Sequence, residues 1–221
     1  MCAFVQESIR GGVSFIGSRY HNFDKTLDTD KSSAKCFYTD VNNLYGSQMQ
    51  QKLPIDGYKW LSQEEINDFD IDKTDPNSDI GYILEVSLLY PKELHTLHDE
   101  FPLAPHKHQI NFENLSPLAQ SIHTSCFPDK LGRHKTEKLV GTLLPRVNYV
   151  THYVNLKFYK DHGLVISKIH RGIKFRQDNF LRPFIDLCTK LRANSDSDFE
   201  RELFKLLANS SYGEFIALLV D

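Results

Sequence analysis

The chain has 221 residues, 40% of them apolar and 25% charged, with 26 Lys plus Arg against 29 Asp plus Glu and a net charge of -3. These values exclude long disorder, a collagen-like repeat, a disulfide-dense miniprotein and a uniformly basic nucleic-acid coat, but not a local basic groove. No run of about 18 apolar residues spans a membrane, and the N-terminus MCAFVQESIRGG lacks the basic-then-apolar order of a secretory signal. An intracellular, unsecreted chain with reduced, mostly buried thiols is therefore expected. Cys2, Cys36, Cys126 and Cys188 are far apart and form no CxxC pair.

In chain order, Lys35 to Val41 (KCFYTDV) predicts a strand after the polar segment DTDKSS. Gly81 to Tyr90 alternates, with Tyr82, Leu84, Val86 and Leu88 on one face, and Pro91 ends it. Residues 102 to 146 are rich in Pro and His and carry no clear period. Asn148 to Tyr153 and Leu164 to Phe175 read as strands, with a short helix from Val154 to Asp161 between them. Phe180 to Arg192 reads as a helix, and ANSDSD breaks the chain. Phe199 to Tyr212 reads as a second helix, introduced by Ser197 and Glu200 at capping-box spacing. The class is α+β.

Charge is unevenly spread. Leu61 to Phe101 holds 11 acids and 2 bases, and Lys157 to Arg182 holds 7 bases and 2 acids. The acidic run reads as a surface insertion. The basic run, which includes Lys174 and Arg176, is interleaved with Phe158, Tyr159, Phe175 and Phe180. It suits either a phosphate backbone with stacked bases or a plain solvated face. Lys130, Arg133, Lys135 and Lys138 form a second basic cluster. His95, His98, His106, His108, His123 and His134 have metal-like spacings without a completing Cys or acid, so surface or interface histidines are expected. Asp68, Asp70 and Asp72 do not make an EF-hand, because Lys73 stands at the Gly position and Asp79 at the Glu position.

Two short segments carry chemistry. At about 100° per residue, Phe199, Leu203, Leu206, Leu207 and Ser210 share one helix face, the expected buried one. Lys205, Asn209 and Tyr212 share another, offering a cation, an amide and a phenol to a nucleotide. The plainer reading is a polar face with Gly213 as C-cap. Asp40 closes the first predicted strand, a place where Asp is disfavoured and where a carboxylate holds a divalent cation. The plainer reading there is a turn-initiating Asp followed by Asn42 and Asn43. Leu44 is expected in the core and Tyr45 near whatever the metal holds.

Taken in order, IRGG (Ile9 to Gly12), TDVNNLYGSQM (Thr39 to Met49), KLPIDGYKW and KLLANSSYG (Lys205 to Gly213) resemble the YxGG element, motif A, its sequel and motif B of protein-primed family-B DNA polymerases. These polymerases belong to phages, linear plasmids and Maverick/Polinton-type transposons. The resemblance implies an incomplete polymerase palm with a helical fingers hairpin and a long insertion. It divides the chain into 1–49 (start of palm), 50–163 (insertion with palm strands) and 164–221 (strand and fingers helices). It further implies a DNA-directed DNA polymerase acting by two-metal phosphoryl transfer with Mg²⁺ or Mn²⁺.

The resemblance also implies roles for single residues. Asp40 is one catalytic metal-binding carboxylate, helped by the Val41 carbonyl. Tyr45 packs under the sugar. Lys205 neutralises the triphosphate, and Asn209 and Tyr212 line the nucleotide pocket. Lys190 and Arg192 are further phosphate candidates. Gly11, Gly12, Lys174, Arg176 and Gly213 are DNA-binding candidates. The implied partners are a DNA template and primer, dNTP and a terminal priming protein, at the nucleus or another site of element replication.

Four departures from the pattern stand out. Ile9 replaces Tyr, Gly46 replaces the usual Pro, and Glu214 replaces the usual Lys. No D-T-D motif C, the source of the second catalytic Asp, follows KLLANSSYG, and no exonuclease domain precedes it. Two expectations follow: a polymerase fragment inactive as the isolated chain, or a non-catalytic nucleic-acid-binding remnant.

Overall fold

The computed structural model describes residues 1–17, 37–128 and 137–220. Cys36, Lys130, Arg133, His134 and Lys135 lie outside the described residues. The chain opens with helix α1 (Cys2–Ser8), followed by α2 (Leu44–Met49), strand β1 (Leu53–Trp60) and α3 (Gln63–Asn67). Then come β2 (Ile80–Leu89), α4 (His95–His98), β3 (His106–Gln109), α5 (Pro117–Cys126) and β4 (Glu137–Val140). β5 (Arg146–His152), α6 (Tyr153–Asp161), β6 (Val165–Asp178), α7 (Arg182–Ala193) and α8 (Asp198–Val220) complete the order. Helices and antiparallel strands thus mix as the α+β expectation requires.

Four strands form one antiparallel sheet in the order β1-β6-β2-β5, and β3 pairs with β4 separately. β2 lies inside the sheet, paired with β6 on one side and β5 on the other, and buries apolar side chains on both faces. Leu84, Val86 and Leu88 pack with Tyr149, Tyr153, Leu156, Leu164 and Ile71 on one side. Ile83 packs with Phe4, Val150, Ile173 and Phe175 on the other. Each fully buried aliphatic or aromatic side chain there contributes about 1.5–3 kcal/mol. Leu61 to Phe101 is therefore no surface insertion: its acids flank the best-buried strand, and Glu85 itself is buried and paired with Arg171. Phe175 is likewise a core residue and not a platform for bases.

β1 is not legible as a strand in the sequence. It occupies the outer position beside β6, with register shifts at Asp56 and Gly57 at φ 70°. Such a bulge bends an edge strand and discourages pairing with another chain.

The region from 102 to 146 resolves into β3, α5 and β4, with Ser116 capping α5 by accepting the Ala119 N–H. Its two ends are joined by Arg146. This buried guanidinium donates to the carbonyls of Leu103, Ala104, Thr142 and Leu144 and to the Thr142 hydroxyl. Ala104, fully buried at φ 52°, is held in the left-handed region by this clamp. Not all histidines are at the surface: His98 is buried, and its Nδ1 lies 2.8 Å from the Tyr90 hydroxyl. Of the described cysteines only Cys188 is buried, while Cys2 and Cys126 are exposed and free.

Two expectations about the functional segments fail. Phe37 to Val41 forms no strand and pairs with neither sheet edge, and Phe37 and Tyr38 are 82% and 95% exposed. A strand needs a hydrogen-bonding partner, and none lies beside this segment among the described residues. Gly213 does not cap the last helix, because α8 continues to Val220. A single Gly costs a helix about 1 kcal/mol, too little to stop one flanked by good formers.

Candidate functional site

The site is built from α2, α7 and α8. Asn43 starts α2 in the left-handed conformation, φ 53°, and its carbonyl accepts the Ser47 N–H at 2.9 Å. The Asn43 side chain folds over Gly46, where a Cβ would stand 2.3 Å from Asn43 Nδ2. A side chain at position 46 would therefore have to displace the Asn43 amide. The turn throws Leu44 outward, so it is half-exposed and not in the core.

Met49, at the end of α2, is buried against Ile185 and Cys188 of α7 and Ala208 of α8. Gln50 donates to Asp186 at 2.6 Å beside that cluster. α7 and α8 form an antiparallel pair across a short turn, where Arg201 donates to the Ser195 carbonyl at 3.1 Å. Ser197 accepts the Glu200 N–H at 3.2 Å, as its spacing predicts.

The buried face of α8 differs from the expected one. Ala208 is its buried residue, beside half-buried Phe204 and Ser211, whereas Phe199 and Leu206 are 77% and 63% exposed. The small Ala208 lets α7 and α2 come close, and that approach rotates the Leu stripe outward.

The rotation leaves Lys205, Asn209 and Tyr212 on an open face beside α2. The Tyr45 and Tyr212 rings stack with centroids 4.4 Å apart and planes at 29°. This joins the two chemistry-bearing segments across more than 160 residues of sequence. Lys205 Nζ sits 3.3 Å from Glu202, an exposed pair. Such a pair contributes about 0–1 kcal/mol, so an incoming anion exchanges for it at little cost. Asn209 is exposed. Lys190 and Arg192 lie in the last turn of α7, exposed and outside every ion pair among the described residues.

Asp40 and Val41 lie in the extended segment that leads into α2. Asp40 is exposed, and its Oδ1 accepts the Val41 N–H at 3.0 Å. Among the described residues no group of three His, Cys, Asp or Glu is placed to hold a metal ion.

The remaining candidates sit elsewhere. Gly11 and Gly12 lie in the extended stretch after α1, where an added Cβ would meet open space. Packing therefore does not require glycine there. Lys174 and Arg176 are on β6 and paired with Glu65 and Asp56. The hydrogen bonds from these cations hold both carboxyls below the usual carboxylate range. Gly213 lies inside α8. Sequence reasoning missed Met49 and Asn43. A lone Met in a polar run and an Asn in an Asn-Asn turn give no periodic signal.

No curated protein and no solved structure matches the chain. The family of DNA polymerases type B, organellar and viral, matches residues 1–218, which takes in both the Asp40–Met49 segment and the Lys205–Gly213 helix. The chain therefore belongs to the organellar and viral type B DNA polymerases.

Proposed function

We propose that the described residues form the nucleotide-holding part of a protein-primed DNA polymerase, with the β1-β6-β2-β5 sheet as palm and α7–α8 as fingers. The observation that carries this reading is the Tyr45–Tyr212 stack. It sets an aromatic floor beside the Lys205 ammonium and the Asn209 amide, which are on the same helix face.

An incoming dNTP meets these groups in a definite order. Lys205 leaves Glu202 for the triphosphate, with Lys190 and Arg192 as further phosphate partners. The sugar rests against Tyr45, whose ring excludes a 2′-hydroxyl. Asn209 and Tyr212 line the base and sugar. Gly11 and Gly12 leave room for a template strand, and Lys174 and Arg176 are DNA contacts once released from their surface acids. A terminal priming protein supplies the primer hydroxyl in this reading, and the insertion from 50 to 163 is where it and the template make contact.

The donor set fits a divalent ion only in part. Asp40 offers one carboxylate and Val41 a carbonyl, and the nucleotide phosphates are the natural remaining ligands. Bound Mg²⁺ or Mn²⁺ supplies charge neutralisation at the phosphates. Asp40 alone cannot hold two ions, so the isolated 221 residues are expected to bind nucleotide without extending a primer. The second reading is a non-catalytic nucleic-acid-binding protein, in which Asp40 serves as a turn residue accepting the Val41 N–H.

The test is binding of a fluorescent dNTP analogue with Mg²⁺ to the 221-residue chain. Lys205→Ala should weaken it about 10- to 100-fold, the worth of one charge-assisted hydrogen bond of about 1.5–3 kcal/mol. Equal affinity in wild type and variant would remove the nucleotide from this face. Primer extension that disappears in Asp40→Ala would overturn the expectation of inactivity.

A further inference from the structure

The α7–α8 pair is covered on one side. There Met49 of α2 packs against Ile185, Cys188 and Ala208, Gln50 donates to Asp186 of α7, and Tyr45 stacks on Tyr212 of α8. Elsewhere on the pair large apolar side chains stand in water. Phe184, Leu187 and Leu191 of α7 are all exposed, and at about 100° per residue they fall within about 60° of one another. Phe199, Leu203, Leu206 and Leu207 of α8 are exposed as well, and they fall within about 100°.

Both rows point away from α2. The centre of the α7 row is turned about 130° from Asp186, and that of the α8 row about 170° from Tyr212. Neither row faces the other helix, because Ile185, Cys188 and Ala208 fill that contact. The two rows therefore lie on one surface of the pair, opposite α2.

The surface is large. At roughly 200 Å² for a fully exposed Leu or Phe, the exposed fractions of these seven side chains amount to about 650–700 Å². The largest apolar patch on a monomer is about 300–600 Å². A stable interface takes about 800 Å² from each partner, polar rim included. The face thus has the size of one half of a dimer interface.

Its shape limits the occupant. Two apolar rows on antiparallel helices make two ridges with a groove between them. A lone helix fills the groove and leaves the outer flanks of both rows in water. A second hairpin, related by a two-fold, covers both rows with two of its own and completes a four-helix bundle. The helix ends agree in charge. α7 finishes with Lys190 and Arg192, and α8 begins with Asp198 and Glu200. Laying α7 of one copy along α8 of the other, in opposite senses, sets the cationic end of each beside the acidic start of the other.

We infer that this face binds a second copy of the chain, so that the protein is a two-fold dimer held by an intermolecular four-helix bundle. The Lys205, Asn209 and Tyr212 face points away from the contact and stays open. The dimer and the nucleotide-holding reading can therefore fail independently.

The test is sedimentation velocity of the full 221-residue chain over a concentration series, without nucleotide. The mass should reach a plateau at the dimer, with a Kd of about micromolar or tighter. Leu187→Asp and Leu203→Asp should each weaken the dimer at least about 100-fold, because a two-fold interface carries every substitution twice. Leu97→Asp, which changes an exposed apolar side chain on α4, should dimerise like wild type.

A wild-type monomer throughout the series would overturn the inference, whether the face then stays bare or takes a different protein. So would a mass that grows past the dimer without a plateau, because non-specific apolar association has no two-fold closure. An equal loss in Leu97→Asp would overturn it too. If circular dichroism shows that Leu187→Asp is unfolded, Leu206→Asp decides, because Leu206 is 63% exposed and most of its surface already lies in water.

Discussion

Met49→Ala should uncouple α2 from the α7–α8 pair and, with it, Tyr45 from Tyr212. Met49 is 4% exposed and touches a cluster of only three other buried residues, Ile185, Cys188 and Ala208. Truncating a buried Met costs about 2–5 kcal/mol. The lower half of that range applies, because a cluster this small at the end of a short helix can partly collapse. Gln50–Asp186, an exposed hydrogen bond, recovers at most about 1 kcal/mol.

For a chain of this size about 2–3 kcal/mol lowers the midpoint of thermal unfolding by roughly 4–12 °C. Met49→Leu, nearly equal in volume, should cost less than about 1.5 kcal/mol. The assay pairs circular-dichroism melting with dNTP-analogue binding. Met49→Ala should lose affinity at temperatures where the sheet remains folded, and Met49→Leu should keep it. If Met49→Ala binds nucleotide like wild type while melting earlier, the α2 packing stabilises the fold but does not position Tyr45, and the reasoning is refuted.

Two further outcomes concern stability. Arg146→Met should destabilise the chain by about 3 kcal/mol or more, because it strips several buried carbonyls of their partner at once; urea unfolding with a loss below about 1 kcal/mol would contradict the clamp. His152, half-buried between Tyr153 and Phe175, is drawn down to about 4 by burial, below its ordinary 6.5. The unfolded chain therefore binds the proton first. Stability is complete above about pH 6.5 and is lost as the pH falls through about 4, by up to about 3 kcal/mol. His152→Phe should reduce that slope without abolishing it, since His106 titrates in the same window; an unchanged slope would refute the assignment.

What can be read from the sequence follows periodicity. β2 and β6, the short helix between β5 and β6, and α7 lie within a few residues of where their apolar patterns put them, and α8 starts where expected but runs eight residues past Tyr212. β1 carries Pro54 and Gly57 and a mostly exposed pattern, so nothing in LPIDGYKW alternates clearly. Its strand state comes from β6, which offers a partner edge.

The buried face of α8 is hidden in the sequence for a related reason. Its Leu residues carry the stronger apolar signal, but helix packing follows the closest approach that Ala208 permits. At the site, helix geometry alone groups Lys205, Asn209 and Tyr212. The partner ring of Tyr45 comes from a distant segment, and only motif order suggests it. KCFYTDV has strand composition, which puts Asp40 on a predicted strand, and composition cannot supply a pairing partner.

The Arg146 clamp has a consequence for how this chain tolerates change. Leu103 and Ala104 stand at one end of a long excursion and Thr142 and Leu144 at the other, and one side chain ties both to the first residue of β5. The β3–β4 pairing closes the same excursion a few residues further out. Once its ends are fixed, the length between them affects closure only weakly, about 0.6 kcal/mol for each doubling. The excursion is thus a socketed module: insertions, deletions or exchange for another sequence between residues 110 and 136 leave the sheet beneath it untouched, while a single substitution at Arg146 does not.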